Sequence, residues 1–142
     1  MMTGSVLYIE DNVDNRLLVK RVIESMGIRC AEAGTGQEGI RRAKELKPDI
    51  ILLNINLPDI SGYEVARRMR ASGDPHLVYV PIIAVTANVL KGDAEKALEA
   101  GCDVYMAKPI NIRELMARVS AFLEVVHGPA WSKENEWKEE EW

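Results

Sequence analysis

The feature that most limits what this chain can fold into is a fivefold alternation. A short apolar run rich in strand formers is followed each time by a segment of helical period. Residues 5–9 (SVLYI) read as a strand and 13–27 as a helix, in which Leu17, Leu18, Arg21, Val22 and Met26 recur at i, i+4-type spacings and Gly27 is a stop. Strand 28–33 precedes helix 36–46, and strand 49–54 precedes helix 62–72. After a turn at GDPH come strand 79–86, helix 91–101, strand 103–108 and helix 111–126. Strands that alternate with helices pair in parallel through right-handed crossovers. The expected fold is α/β: a doubly wound, five-stranded parallel sheet, flavodoxin-like, with helices on both faces. The unbroken apolar run at 49–54 predicts a strand buried on both sides.

In such sheets a ligand sits beyond the carboxyl ends of the strands, at the topological switch point. The residues expected there are Glu10 and Asp11, Asn54, Thr86 and Lys108. Adjacent carboxylates about 4 Å apart repel by about 4 kcal/mol at an effective dielectric of 20. A hard divalent cation would offset that, and Mg²⁺ takes a few oxygen ligands plus water. Alternatively the two acids only favour the start of the next helix. Thr86 and Lys108 offer a hydroxyl donor and an ammonium suited to a phosphoryl group. Each also has an ordinary structural reading, as a strand residue and as a turn residue before proline.

Size and composition narrow the rest. The 142 residues suit one ordinary domain. Residues 1–127 are read as that domain and 128–142 as a flexible, acidic tail, either a linker or an expression remnant. The tail holds all three tryptophans, and residues 129–142 carry −3 of the formal −4. No apolar run reaches membrane-spanning length and no signal peptide is visible. Cys30 and Cys102 lack metal or disulfide spacing and are expected as buried free thiols in a reducing cytoplasm. His76 and His127 are expected to be solvated rather than metal ligands. The basic clusters at 41–42 and 67–70 fall on helical patterns with acidic neighbours, so they read as solvated faces, and no nucleic-acid or membrane surface is expected.

Four stretches make the chain resemble the receiver domains of two-component response regulators, the CheY-like family. They are VLYIEDN (6–12), PDIILLNINLPDISGYE (48–64), PIIAVTA (81–87) and GCDVYMAKPI (101–110), and the likeness spans residues 4–126. The last part is similar to small stand-alone receivers and to receivers attached to hybrid kinases. The resemblance implies a signalling module rather than an enzyme, one that takes a phosphoryl group from a histidine kinase or phosphotransfer protein at the end of its third strand. Asn54 occupies that phosphoacceptor position. Mg²⁺ would be held by Glu10, Asp11, position 54 and the backbone carbonyl of Asn56. Thr86, with Ala87 beside it, Lys108 and the aromatic Tyr105 match the phosphoryl-binding and switch positions. Pro109 follows a peptide bond that is typically cis in the family, and Asn56 and Asn88 match positions that tune the lifetime of the phosphorylated state.

Asn54 departs from the family pattern. A carboxamide is a far poorer nucleophile than a carboxylate, so the covalent switch is expected not to operate and Mg²⁺ to bind more weakly. The companions Glu10, Asp11, Thr86 and Lys108 remain suited to a metal and a phosphoryl group, which favours an Asp→Asn variant of a working receiver. The alternative is a natural receiver acting as a phosphorylation-independent interaction module. An output face over residues 89–126 is expected to meet a downstream protein, in a monomer or weak dimer. On it Leu98 is expected buried, and Ala94 and Ala97 partly exposed. A flavodoxin-like cofactor binder is disfavoured because the acids of EDNVDN would repel an uncompensated phosphate. A metal-dependent Asp-nucleophile hydrolase would need Asp11 as its nucleophile, and the resemblance runs elsewhere.

Overall fold

The computed structural model describes residues 4–87 and 92–127. Its elements are β1 (Ser5–Ile9), α1 (Val13–Ser25), β2 (Arg29–Ala33), α2 (Gly36–Leu46), β3 (Ile50–Asn54) and α3 (Gly62–Arg70). They continue with α4 (Pro75–Tyr79), β4 (Ile82–Thr86), α5 (Asp93–Ala100), β5 (Val104–Ala107) and α6 (Ile112–His127). All pairings in the sheet are parallel and the strand order is β2-β1-β3-β4-β5. The chain therefore winds outward from β1 to β2 and returns to the far side at β3. The reversal falls between β1 and β3, which puts the crevice at their carboxyl ends.

Because strand side chains alternate between faces, the sheet feeds two cores. Val6, Tyr8, Ile50, Leu52, Ile83 and Met106 pack against Val19, Val22, Ile23 and Met26 of α1 and its end, and against Leu115, Met116, Val119 and Leu123 of α6. Leu7, Ile9, Ile51, Leu53, Ile82 and Ala84 point the other way, onto Val65, Ala66 and Met69 of α3, Leu77 of α4, and Ala97 and Ala100 of α5. All of β3 is buried, as its unbroken apolar run predicts. Cys30 and Cys102 are buried free thiols in opposite cores. Burial pushes their thiols up to about 12 and about 11, respectively.

Local chemistry sets the helix starts. The side chains of Asn12, Thr35, Ser61, Asp74 and Asn111 each accept a hydrogen bond from a backbone N–H in the first turn of the following helix.

The structure refines the sequence reading at several points. Residues 75–79 form the short helix α4, and the fourth strand begins only at Ile82. Asp74 caps α4 and Pro75 occupies its first turn, a start signal that the β-formers of LVYV obscured. In α1 the stripe against the sheet is Val19, Val22 and Ile23, whereas Leu17 and Leu18 are exposed. On α5 Leu98 is 52% exposed and Ala97 is buried, the reverse of the expectation for both, while Ala94 is partly exposed as expected. Ala97 and Ala100, three residues apart, are the residues of α5 that face the core. The tail at 128–142 and Asn88 lie outside the described residues.

Candidate functional site

Glu10 stands at the end of β1, pulled under the sheet edge until it is 1% exposed, while Asp11 beside it is exposed. A buried carboxylate needs donors, and Glu10 has five. Its Oε1 accepts from Lys108 Nζ at 2.6 Å, Tyr8 OH at 3.2 Å and Asn15 Nδ2 at 3.3 Å. Its Oε2 accepts from Asn54 Nδ2 at 2.9 Å and the Asn12 N–H at 3.3 Å. Burial works against its charge, yet the hydrogen bond from Lys108 and the other donors outweigh it and hold the carboxyl below the ordinary range. Burial, reinforced by Glu10, pushes the Tyr8 phenol well above its ordinary value, so it stays a donor.

Asn54 ends β3 and is 2% exposed. Its Nδ2 donates to Glu10 Oε2 at 2.9 Å, Asp11 Oδ1 at 3.2 Å and the Asn56 carbonyl at 2.8 Å. Its Oδ1 is buried and has no partner. Thr86 ends β4, buried, and the Lys108 N–H donates to its carbonyl at 2.8 Å, which fastens the end of β5 to β4. The Lys108–Pro109 bond is cis. Ala87 is exposed at the rim, and Tyr105 on β5 is 39% exposed. Thus the structure brings Glu10, Asp11, Asn54, the Asn56 carbonyl and Lys108 into one hydrogen-bonded cluster. It leaves Tyr105 at the surface of the edge strand.

Several supporting residues are not apparent from motif alone. Tyr8 shares a face with Glu10, two residues along the strand, and that period was the available signal. Arg16 donates to the carbonyls of Glu10 at 2.7 Å and Asp11 at 3.3 Å, fixing the turn that presents both acids. Asp59 ties the loop after β3 to α2 by accepting from the N–H groups of Gly36 and Gln37 at 2.8 and 2.9 Å. The basic runs behave as solvated faces in part: Arg41 pairs with Glu45, and Arg67 and Arg68 with Glu64. Arg70 is different. It donates to the carbonyls of Gly101, Leu77 and Val78 and to Asp103, so it joins α3, α4 and the start of β5. His127 is exposed, as expected, and reaches Asp49 at 3.2 Å, whereas His76 is half-buried and contacts the Pro48 carbonyl.

The donor set can be tested against a divalent cation. Glu10 Oε2, Asp11 Oδ1 and the Asn56 carbonyl converge on one point, which is the hard-oxygen chemistry that Mg²⁺ selects. The partnerless Oδ1 of Asn54 could serve as a further oxygen. Among the described residues no three His, Cys, Asp or Glu side chains gather around a common point, so a cation here would rest on two carboxylates and two neutral oxygens. Beside the cluster lies a cavity of about 380 Å³ between α1 and the start of α6, its apolar wall including Leu18, Val22, Ile112 and Leu115. No described helix is long and apolar enough to cross a membrane.

A parallel sheet of this order carries acids at the end of β1 and a lysine before a cis proline after β5. The response regulator receiver domain family matches residues 6–120, and the chain belongs to that family, of two-component signalling. The polar-differentiation response regulator DivK of Brucella ovis is 38% identical over 122 residues, which is 86% of this chain and 98% of that protein. The receiver domain of a sensor histidine kinase from Pseudomonas aeruginosa PAO1, solved with a magnesium ion coordinated in its active-site cleft, is 35% identical. It superposes with a TM-score of 0.77 over 84% of this chain and 97% of its own. A chemotaxis protein of Vibrio cholerae, 21% identical, has a TM-score of 0.79 over 86% of this chain and 99% of its own, a likeness that concerns the fold alone.

Proposed function

We propose that this chain is a receiver whose covalent step is disabled at position 54 and whose output passes through protein contacts. The observation that carries this is a single side chain. Asn54 is buried at the end of β3, within hydrogen-bonding distance of Glu10 and Asp11, with Lys108 bonded to Glu10 beside it. An aspartate there would be the phosphoacceptor, attacking a phosphohistidine or small acyl phosphate through a carboxylate oxygen. The carboxamide lacks that nucleophile.

In the Asp form the remaining residues take the following roles. Glu10, Asp11, the side chain at 54 and the Asn56 carbonyl hold Mg²⁺, which when bound neutralises phosphoryl charge. Lys108 and Thr86, with Ala87 at the rim, bind the phosphoryl oxygens, and Tyr105 responds as the aromatic switch. The side chains of Asn56 and Asn88 adjust the lifetime of the modified state. Mg²⁺ binding is weaker with Asn54, because the site holds one negative charge fewer. The upstream partner is a histidine kinase or phosphotransfer protein in the cytoplasm. The downstream partner meets the α5–β5–α6 face, where Leu98 and Tyr105 are exposed.

The test compares this chain with Asn54→Asp, each incubated with Mg²⁺ and a small acyl-phosphate donor and weighed intact. Gain of one phosphoryl group by the Asp form alone is expected. If neither form is modified, the companion residues are not assembled for phosphotransfer and a phosphorylation-independent interaction module is the better account. Modification of the Asn form would overturn the reading of position 54.

A further inference from the structure

We infer that the Asn54 amide is a tethered substitute for the divalent cation, so that the acidic pocket of this chain is held together without metal. The inference takes from the proposed function only the identity of the metal's oxygens. Those oxygens, Glu10 Oε2, Asp11 Oδ1 and the Asn56 carbonyl, all receive Asn54 Nδ2, at 2.9, 3.2 and 2.8 Å. One NH₂ group has two protons, so the three acceptors share them, and the nitrogen sits at ordinary hydrogen-bonding distances at the point on which the three oxygens converge. The nitrogen carries partial positive charge and is shut off from water, conditions that strengthen its attraction to the carboxylates.

The charge balance points the same way. Lys108 is bonded to Glu10 at 2.6 Å, so one of the two carboxylates is already neutralised. The other, Asp11, is exposed to solvent, which screens it. The mutual repulsion that a divalent ion offsets when three carboxylates share this pocket is therefore largely absent. The Asn54 Oδ1 lies buried with no partner, a cost set against the hydrogen bonds that the two Nδ2 protons share among the three oxygens. A cation could enter only if Nδ2 left, and it would then have to replace all three of those hydrogen bonds.

The consequence is a receiver that rests in one metal-independent state, whereas the Asp form of the same pocket depends on metal. The test is a set of thermal melts by circular dichroism, in EDTA and in millimolar MgCl₂, of this chain, Asn54→Asp and Asn54→Ala. Mg²⁺ titrations followed by amide NMR shifts accompany them. The chain itself is expected to melt at the same temperature in both buffers. Asn54→Asp should melt lower in EDTA and recover with Mg²⁺, and its affinity for Mg²⁺ should exceed that of the Asn form by at least about tenfold. Asn54→Ala, which removes the donors without adding charge, should also melt below the parent in EDTA. A parent that rises with Mg²⁺ as far as the Asp form overturns the inference, as does an Ala form as stable as the parent in EDTA. An Asp form that recovers with Mg²⁺ yet gains no phosphoryl group overturns the proposed function and leaves this inference standing.

Discussion

Gly62 shows how closely the backbone around position 54 is fitted. Its N–H donates to the Ile55 carbonyl at 2.7 Å, drawing the start of α3 against the end of β3. A Cβ at this position would lie 2.5 Å from the Asn54 carbonyl oxygen and 2.7 Å from the Ile55 Cα, both main-chain atoms with nowhere to retreat. Gly62→Ala should therefore push α3 away from the candidate site and lower stability by about 1–3 kcal/mol, the usual cost of overpacking. Urea denaturation reads the loss; an alanine variant as stable as the parent would mean that α3 can shift away from β3 at no cost. At this scale the sequence was informative about charge and poor about contact. The apolar runs ending in Glu10, Asn54 and Thr86 marked the strand ends, and the residues found in the cluster were readable from them. That Lys108 would turn to Glu10 and leave the Asn54 oxygen alone was not, because it depends on distances across strands 98 and 44 residues apart in sequence.

Elements are joined in this fold by a few side chains that act across loops, and Asp59 is one whose effect depends on pH. It accepts from the first N–H groups of α2, where the positive end of the helix favours a negative charge. Burial is the largest single influence on its pKa and pushes it up, but the hydrogen bonds from the Gln37, Gly36 and Ile60 N–H groups together outweigh it and hold the carboxyl below its ordinary 3.8. A group with a depressed folded pKa stabilises above the unfolded value, and that contribution is lost as pH falls through the folded one. Asp59→Ala should thus cost about 1 kcal/mol at neutral pH, as other lost caps do. The difference from the parent should shrink once the pH is taken below about 3.8. Chemical denaturation at neutral and acidic pH measures it, and an undiminished gap in acid would show that the carboxylate is not the stabilising species. Helix starts of this kind were legible wherever a capping residue preceded a periodic stretch. The short α4 was not, because one turn gives no period to read and its Leu77 and Val80 look equally like strand. The apolar Leu98 misled for a related reason. Composition marks a residue as apolar, but only the packing angle of a helix decides whether it faces the sheet.

Over the whole molecule the alternation of strands and helices was enough to give the parallel sheet, since handedness and connectivity leave few other solutions. It could not say which helices share a face. That follows from the reversal between β1 and β3, which sends α1 and α6 to one side and α2 to α5 to the other. The two cores are therefore built by different helices but share every central strand, because alternate residues of the same strand serve each side. Leu52 supports one core and Leu53 the other. A cavity on either face loosens strands on which the opposite face depends, so the two cores should fail together rather than in turn. Leu115→Ala, on α6, and Leu77→Ala, on α4, each remove a fully buried leucine. Each should cost about 2–5 kcal/mol, lowering the melting temperature by roughly 10 °C or more for a domain of this size. Both variants should still unfold in one transition that is the same by far-ultraviolet dichroism and by resolved methyl NMR signals from either core. Two separated transitions in either variant would mean that the sheet does not couple its faces. In that case a change at the Glu10–Asn54–Lys108 cluster could not be passed through the strands to α5 and α6.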